Sequence, residues 1–310
     1  MSVLDVALSV SSVSHRYGSR IALDNVSFDI PRGAVFGLLG PNGSGKSTLF
    51  RLVSTLVPLQ AGKILVFGRD VDTEQSAVRG AIGVIFQSSS LDRKLTVLEN
   101  LKCQGALYGI AGSELRTRVG SLAAMMGLED RLHERCEKLS GGLKRRTELA
   151  KGLLHRPALL LLDEASTGLD PTARLEFWNA LSELRNRWGT TILMTTHLME
   201  EAEKCDTLAI MDQGRIVALA SPDALRRETG EMVISVSTRE PVEVVDVLKK
   251  RFGWECTVSG ETVRAIVSES PHRFTEVLDS LGPKALSVTV GRPGLEDVFM
   301  RKTGRTFNDS

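Results

Sequence analysis

Cysteine is scarce in this chain of 310 residues: the four present, Cys103, Cys136, Cys205 and Cys256, lie far apart and form no C-x-x-C pair. That spacing speaks against a disulfide framework and against a zinc site built on paired thiolates, and it suits a reducing compartment. Long apolar runs are missing too. The densest, Ala158 to Leu162, ends at Asp163 and Glu164, whereas a membrane-crossing helix needs roughly 18 consecutive apolar residues. The first residues carry Asp5 and no basic flank before an apolar run, so no secretory signal is expected and the chain is expected to stay inside the cell. Neither sign of charge dominates. Thirty-nine Lys and Arg against 38 Asp and Glu leave a formal net charge of +1, so no overall field draws the chain onto nucleic acid or an anionic membrane surface.

What is present is an ordinary globular composition, 42% hydrophobic and 25% charged, in a length that suits one large domain and a smaller one. Alternating residues Val6, Leu8, Val10 and then Val26, Phe28, Ile30 around Gly18 predict antiparallel strands. Ala34 to Leu39 is a buried strand by pattern, closed by Gly40 and Pro41, and Ser47 to Leu56 has helical spacing. From Lys94 to about Glu137 the apolar residues recur at helical intervals. Then helix Gly141 to His155, strand Ala158 to Leu162, helix Pro171 to Arg187 and strand Thr191 to Thr195 alternate as in a parallel sheet packed between helices. Strands Thr207 to Asp212 and Arg215 to Ala220 follow. Beyond about Gly230 the texture changes to the order βαββαβ, with helices Val242 to Phe252 and Arg273 to Leu281, which suggests a ferredoxin-like fold. The expected domains are therefore 1–230 and 231–310.

Three segments carry chemistry. Gly40, Pro41, Asn42, Gly43, Ser44, Gly45, Lys46, Ser47 and Thr48 read GPNGSGKST, between an expected strand and an expected helix. Glycines there let consecutive amides turn inward at phosphate oxygens, and the helix start adds positive potential. Lys46 is then placed for β- and γ-phosphates and Ser47 for Mg²⁺. At the end of strand LLLLDE, Asp163 suits the Mg²⁺ shell, and Glu164 suits polarising the water that attacks the γ-phosphate. His197 also follows a strand and reaches the same sheet edge. The third segment, Leu139 to Leu143, reads LSGGL before a helix.

This last segment, in this order along the chain, resembles the LSGGQ signature of ABC ATPases, and the resemblance covers residues 1 to about 230. It implies an α/β fold, a P-loop NTPase of ABC type with an antiparallel β subdomain and a helical subdomain, followed by the small ferredoxin-like α+β domain. By the same resemblance Tyr17 stacks on adenine, Gln87 joins the metal site to the transport partner, Asp170 communicates between the sites of a dimer, and His197 is the switch histidine. Ser140, Gly141 and Gly142 would close over the γ-phosphate of the opposite subunit. One phosphate loop and one signature then imply a second ATPase chain, expected as a homodimer, with ATP and Mg²⁺ as cofactors.

Two departures stand out: Leu143 replaces the usual glutamine, and Ala165 stands where proline is common. The tail GLEDVF, Gly294 to Phe299, followed by Lys302, Thr303 and Gly304, is similar to the ending of drug-resistance and ABC-2-type exporter ATPases. The resemblance thus implies a subunit that energises a separate integral membrane permease, peripherally, on the cytoplasmic face of the inner membrane. The alternative is a soluble ABC ATPase acting on nucleic acid or ribosomes; no sustained heptads or metal spacing favour it. The basic run Lys144 to Arg146 is expected to be a solvated helix face or a dimer contact rather than a nucleic-acid patch.

Overall fold

The computed structural model describes residues 5–230, 232–267, 274–304 and 307. They form two compact units that divide between Ile216 and Val217, inside the strand that ends the larger sheet.

The first unit opens with a hairpin, β1 (Val6–Tyr17) and β2 (Arg20–Pro31), turned at Gly18 with φ 58°. Next come β3 (Val35–Leu39), α1 (Lys46–Val53), β4 (Ala61–Val66), β5 (Arg69–Asp70), α2 (Gln75–Ala81) and β6 (Ile82–Ile85). The helical segment contains α3 (Val97–Leu107) and α4 (Gly112–Met126), with short 3-10 turns at Glu129–Arg131 and Cys136–Lys138. It is followed by α5 (Gly141–Leu153), β7 (Leu159–Asp163), α6 (Pro171–Trp188), β8 (Thr191–Thr196), α7 (Met199–Ala202), β9 (Thr207–Asp212) and β10 (Arg215–Ala220). One sheet, in the order β2-β1-β4-β5, is antiparallel. The other runs β10-β9-β3-β8-β7-β6, and β9, β3, β8, β7 and β6 are parallel neighbours.

Alternation along β7 explains why this sheet sits between two cores. Leu160 and Leu162 point into a cluster with Leu149 and Leu153 of α5 and Phe177 and Leu181 of α6. Leu159 and Leu161 point the other way, into a cluster with Phe50 of α1 and Val10, Phe28 and Ile64 of the antiparallel sheet. Successive strand side chains must leave by opposite faces, so four consecutive leucines need apolar cover on both. Each such side chain contributes about 1.5–3 kcal/mol by burial.

Local departures from the expected boundaries have local causes. Helix α1 stops at Val53 rather than Leu56, because Ser54 caps it and Thr55 turns to φ 61°. Strands β4, β5 and β6 and helix α2 fill a stretch for which the sequence pattern assigned no element.

The second unit contains α8 (Pro222–Thr229), β11 (Met232–Ser237), α9 (Pro241–Phe252), β12 (Cys256–Ser259), β13 (Thr262–Val267), α10 (Phe274–Leu281), β14 (Ser287–Gly291) and α11 (Leu295–Thr303). From β11 to β14 the order is the βαββαβ of the sequence pattern, on an antiparallel sheet arranged β12-β13-β11-β14. Arg273, the expected start of the second helix, lies outside the described residues. The unit begins before residue 230 because α8 is tied to α11: the Arg301 guanidinium donates to Glu228 O at 2.7 Å and to Thr229 O.

Candidate functional site

The loop between β3 and α1 is held by close backbone approach. A Cβ on Gly40 would lie 2.4 Å from Met211 O, and one on Gly45, at φ 107°, would lie 2.6 Å from Ala22 O. Only glycine fits either position, which is why the expected glycines stand there. Lys46, the first residue of α1, is 4% exposed, and its Nζ donates to Gly40 O at 2.6 Å and Pro41 O at 2.9 Å. Burial pushes its ammonium below the ordinary range, and the Glu164 and Asp163 carboxylates oppose that shift.

Strand β7 delivers both acidic groups, and β8 beside it supplies the threonine that holds them. Asp163 Oδ1 accepts from the Thr195 hydroxyl at 2.6 Å, and the same hydroxyl oxygen accepts from the Glu164 amide at 3.0 Å. Burial raises the Asp163 carboxyl above its ordinary range, the Thr195 hydroxyl opposes this, and the neighbouring Glu164 charge adds to it. Glu164 turns the chain at φ 45°, a left-handed position that costs a non-glycine residue of order 1–3 kcal/mol and is typical of sites held by their surroundings. Its Oε2 accepts from Gln87 Nε2 at 3.2 Å. His197 Nδ1 lies 3.3 Å from that same oxygen, at an angle that makes no hydrogen bond.

A cleft of about 430 Å³ is lined by Tyr17, Asn42, Gly43, Gly45, Lys46, Ser47, Thr48 and Glu164, together with Arg20, Ala22 and Arg51. Tyr17 is 44% exposed and meets His15 edge to face. Eight expected residues therefore share one cleft, and Asp163, Gln87 and His197 join it through Glu164 or its hydrogen-bond partner Thr195. Gly40, Pro41 and Ser44 shape the loop from behind, the Ser44 amide donating to Pro41 O at 3.2 Å. Ser140, Gly141, Gly142 and Asp170 do not line the cleft. Ser140 caps α5, accepting from the Leu143 amide at 3.3 Å, and Asp170 caps α6, accepting from the Ala173 amide at 2.9 Å.

Three residues of the site escaped the sequence reading. Arg20 and Arg51 add positive charge to the cleft, and Thr195 holds both carboxylate residues. Thr195 carried a usable signal, since it stands two residues before His197 on a strand parallel to β7. The basic run needs correction. Arg145 is 7% exposed, not on a solvated face; it donates to Phe86 O at 2.8 Å, to Glu148 and to Ala165 O. Arg146 donates to Met126 O at 3.1 Å.

Hard oxygen donors, a hydroxyl on Ser47, an amide on Gln87 and a carboxylate on Asp163, suit Mg²⁺, which is commonly held by one carboxylate and phosphate oxygens. Burial of Asp163 makes a cation beside it favourable, because a nearby positive charge opposes the upward push that burial exerts on the carboxyl. Among the described residues no group of three His, Cys, Asp or Glu side chains could hold a metal on its own.

A phosphate-wrapping loop before a helix, with two carboxylates at the end of a neighbouring parallel strand, defines a P-loop nucleoside triphosphatase. Residues 23–167 match the family model for ABC transporters. The chain is 39% identical over 302 residues to Nod factor export ATP-binding protein I of Rhizobium sp. (strain N33), covering 97% of this chain and 98% of the relative. It is 41% identical to the protein of that name from Sinorhizobium fredii (strain NBRC 101917 / NGR234), covering 98% and 88%. Among solved structures, an ATP-binding subunit of an ABC transporter superposes with TM-score 0.65 at 30% identity, over 72% of this chain and 92% of that one. CbiO1 from Clostridium perfringens, part of the ABC transporter complex cbiONQ, superposes with TM-score 0.67 at 28% identity, over 80% and 96%. The chain belongs to the ABC transporter ATP-binding proteins, whose ATP hydrolysis is coupled to transport.

Proposed function

We propose that this chain is the ATP-hydrolysing subunit of an export complex, closing as a homodimer over two ATP molecules and driving a separate membrane permease from the cytoplasmic face. The observation that carries the reading is the convergence of Lys46, Gln87, Glu164 and His197 at one sheet edge. In this reading the amides of Gly43 to Thr48 hold the phosphates and Lys46 leaves the loop carbonyls for the β- and γ-phosphates. Tyr17, exposed at the rim, stacks on adenine. Glu164 orients the attacking water, with Gln87 fixing its carboxylate and His197 beside it to contact the γ-phosphate. Mg²⁺, held by Ser47, Asp163 and Gln87, would neutralise charge developing on the phosphates.

Dimerisation is supported by what the cleft lacks. Ser140 and Gly141 are exposed, and the signature with Asp170 stands outside the cleft, so a second copy would supply them to the γ-phosphate in trans. The start of α5, which Ser140 caps at the Leu143 amide, would then present its positive end toward that phosphate.

Permease coupling is supported by a second cleft of about 310 Å³, lined by Leu56, Val84, Phe86, Gln104, Tyr108 and His155 among others. Leu56 is 58% exposed and Tyr108 38% exposed, an apolar rim suited to an amphipathic segment of a membrane partner. Phe86 precedes Gln87, so occupancy there would reach Glu164 through one side chain. Among the described residues no helix is long and apolar enough to cross a membrane, which fits a permease on a separate chain. The relatives are named for export, and this supports export over the nucleic-acid alternative. Tagged wild-type protein recovered from detergent-solubilised membranes tests the reading: a polytopic membrane protein with phosphate release in the eluate is expected. Ribosomal or DNA-bound partners without a membrane protein would overturn it.

A further inference from the structure

The face of α5 that carries Arg145, Glu148 and Lys151 is buried against the two segments that position Glu164. Spacing of three residues places all three on one side of the helix. The Arg145 guanidinium, 7% exposed, donates through Nε to Ala165 O, the residue after Glu164, and through Nη1 to Phe86 O at 2.8 Å, the residue before Gln87. It is paired with Glu148, 4% exposed, whose other oxygen accepts from the Ser90 amide at 2.8 Å. Lys151 Nζ completes the grip on Ser90 O at 2.7 Å. Residues 86–90 are thus held on one side by α5 and on the other by the bond from Gln87 to Glu164.

We propose that Arg145, with Glu148, is a positioning residue that transmits the placement of the signature helix to Gln87 and Glu164. A left-handed Glu164 keeps its carboxylate aimed only while its flanks are fixed, and Arg145 fixes one flank and the Gln87 loop with a single rigid fork. The helix it stands on starts at Ser140, so a displacement of that start by an ATP-bound partner moves the fork, and the fork moves both carbonyls. Closure would thereby align the water-positioning glutamate rather than only trap the nucleotide. The inference rests on the ATPase reading above.

Arg145→Lys tests it, because the ammonium keeps a charge beside Glu148 but is a point donor that cannot span both carbonyls. Expected is a fall in kcat of about tenfold or more, since small misplacements at a reacting centre carry such losses, with KM and the affinity for a fluorescent ATP analogue changed less than about twofold. Arg145→Gln/Glu148→Gln, which removes both buried charges together, is expected to stay folded and to show the same split. Combining Arg145→Lys with Gln87→Ala should give a loss close to the larger single loss, because both act through one loop. Unchanged kcat in either folded variant, equal losses in kcat and nucleotide affinity, or additive losses with Gln87→Ala would each overturn the proposal. Wild-type protein that releases no more phosphate than Glu164→Gln would instead overturn the ATPase reading, so the two failures are distinguishable.

Discussion

Lys46 shows how residue chemistry and position combine. Its ammonium is buried among carbonyls and faces two carboxylates, so it is a charge held ready rather than a surface lysine. Lys46→Ala removes the charge aimed at the phosphates, and nucleotide affinity is expected to fall at least about tenfold; titration with a fluorescent ATP analogue measures it. His155 is a half-buried ionisable group, stacked on Tyr108 with ring centroids 3.9 Å apart and bonded through Nε2 to Ile82 O at 2.8 Å. Burial lowers its pKa below the ordinary 6.5, the Ile82 carbonyl opposes this, and Arg118 adds to it. A second proton would go to Nδ1, which has no hydrogen-bond partner among the described residues. With the folded value depressed, the unfolded chain binds more protons below pH 6.5, so stability is full above that value and falls as pH drops through it. Melting temperature should decline from about pH 7 to about pH 5, and His155→Gln should lessen the slope. The glycines, Lys46 and the acidic pair were legible because each type is nearly obligatory for its task. Arg145 was not, because an arginine in a helix has many ordinary uses and only folded neighbours single it out, and Thr195 was marked only by standing two residues before His197.

Elements were legible where they were long or strongly periodic. The buried strand β7, the helices α5 and α6 and the hairpin of β1 and β2 follow directly from apolar spacing and a glycine turn. Strand β6, only Ile82–Ile85, holds the sheet edge by pairing in register with Leu159 to Leu162; four residues carry no usable period, and parallel partners are distant in sequence. Helix α5 illustrates an element with two duties. Its N-cap Ser140 satisfies the Leu143 amide, so Ser140→Ala should cost about 0.5–1 kcal/mol of stability. If Ser140 also closes over a partner's γ-phosphate, phosphate release should fall far more than that stability change accounts for. Thermal melting and steady-state turnover on the same preparation separate the two effects, and parallel, small losses in both would reduce Ser140 to a cap.

At the scale of the molecule, the described chain gathers a phosphate loop, two carboxylates and a histidine at one cleft, while its signature and Asp170 do not line that cleft. Within one chain Ser140 and Asp170 are helix caps, and a site shared by two chains, as proposed, leaves no pattern in either alone. Only the resemblance to ABC ATPases implied their meaning. The order of motifs, by contrast, was legible throughout, because the phosphate loop, signature, acidic strand and switch histidine each fall at an element boundary. In the proposed cycle ATP joins two copies and Glu164 releases them by hydrolysis. Light scattering after size exclusion of Glu164→Gln with Mg²⁺ and ATP tests this most directly. A stable species of twice the 33.8 kDa chain mass, present with ATP, absent without nucleotide and releasing almost no phosphate, is the predicted result; a monomer that binds ATP, or turnover equal to that of the wild type, would contradict it.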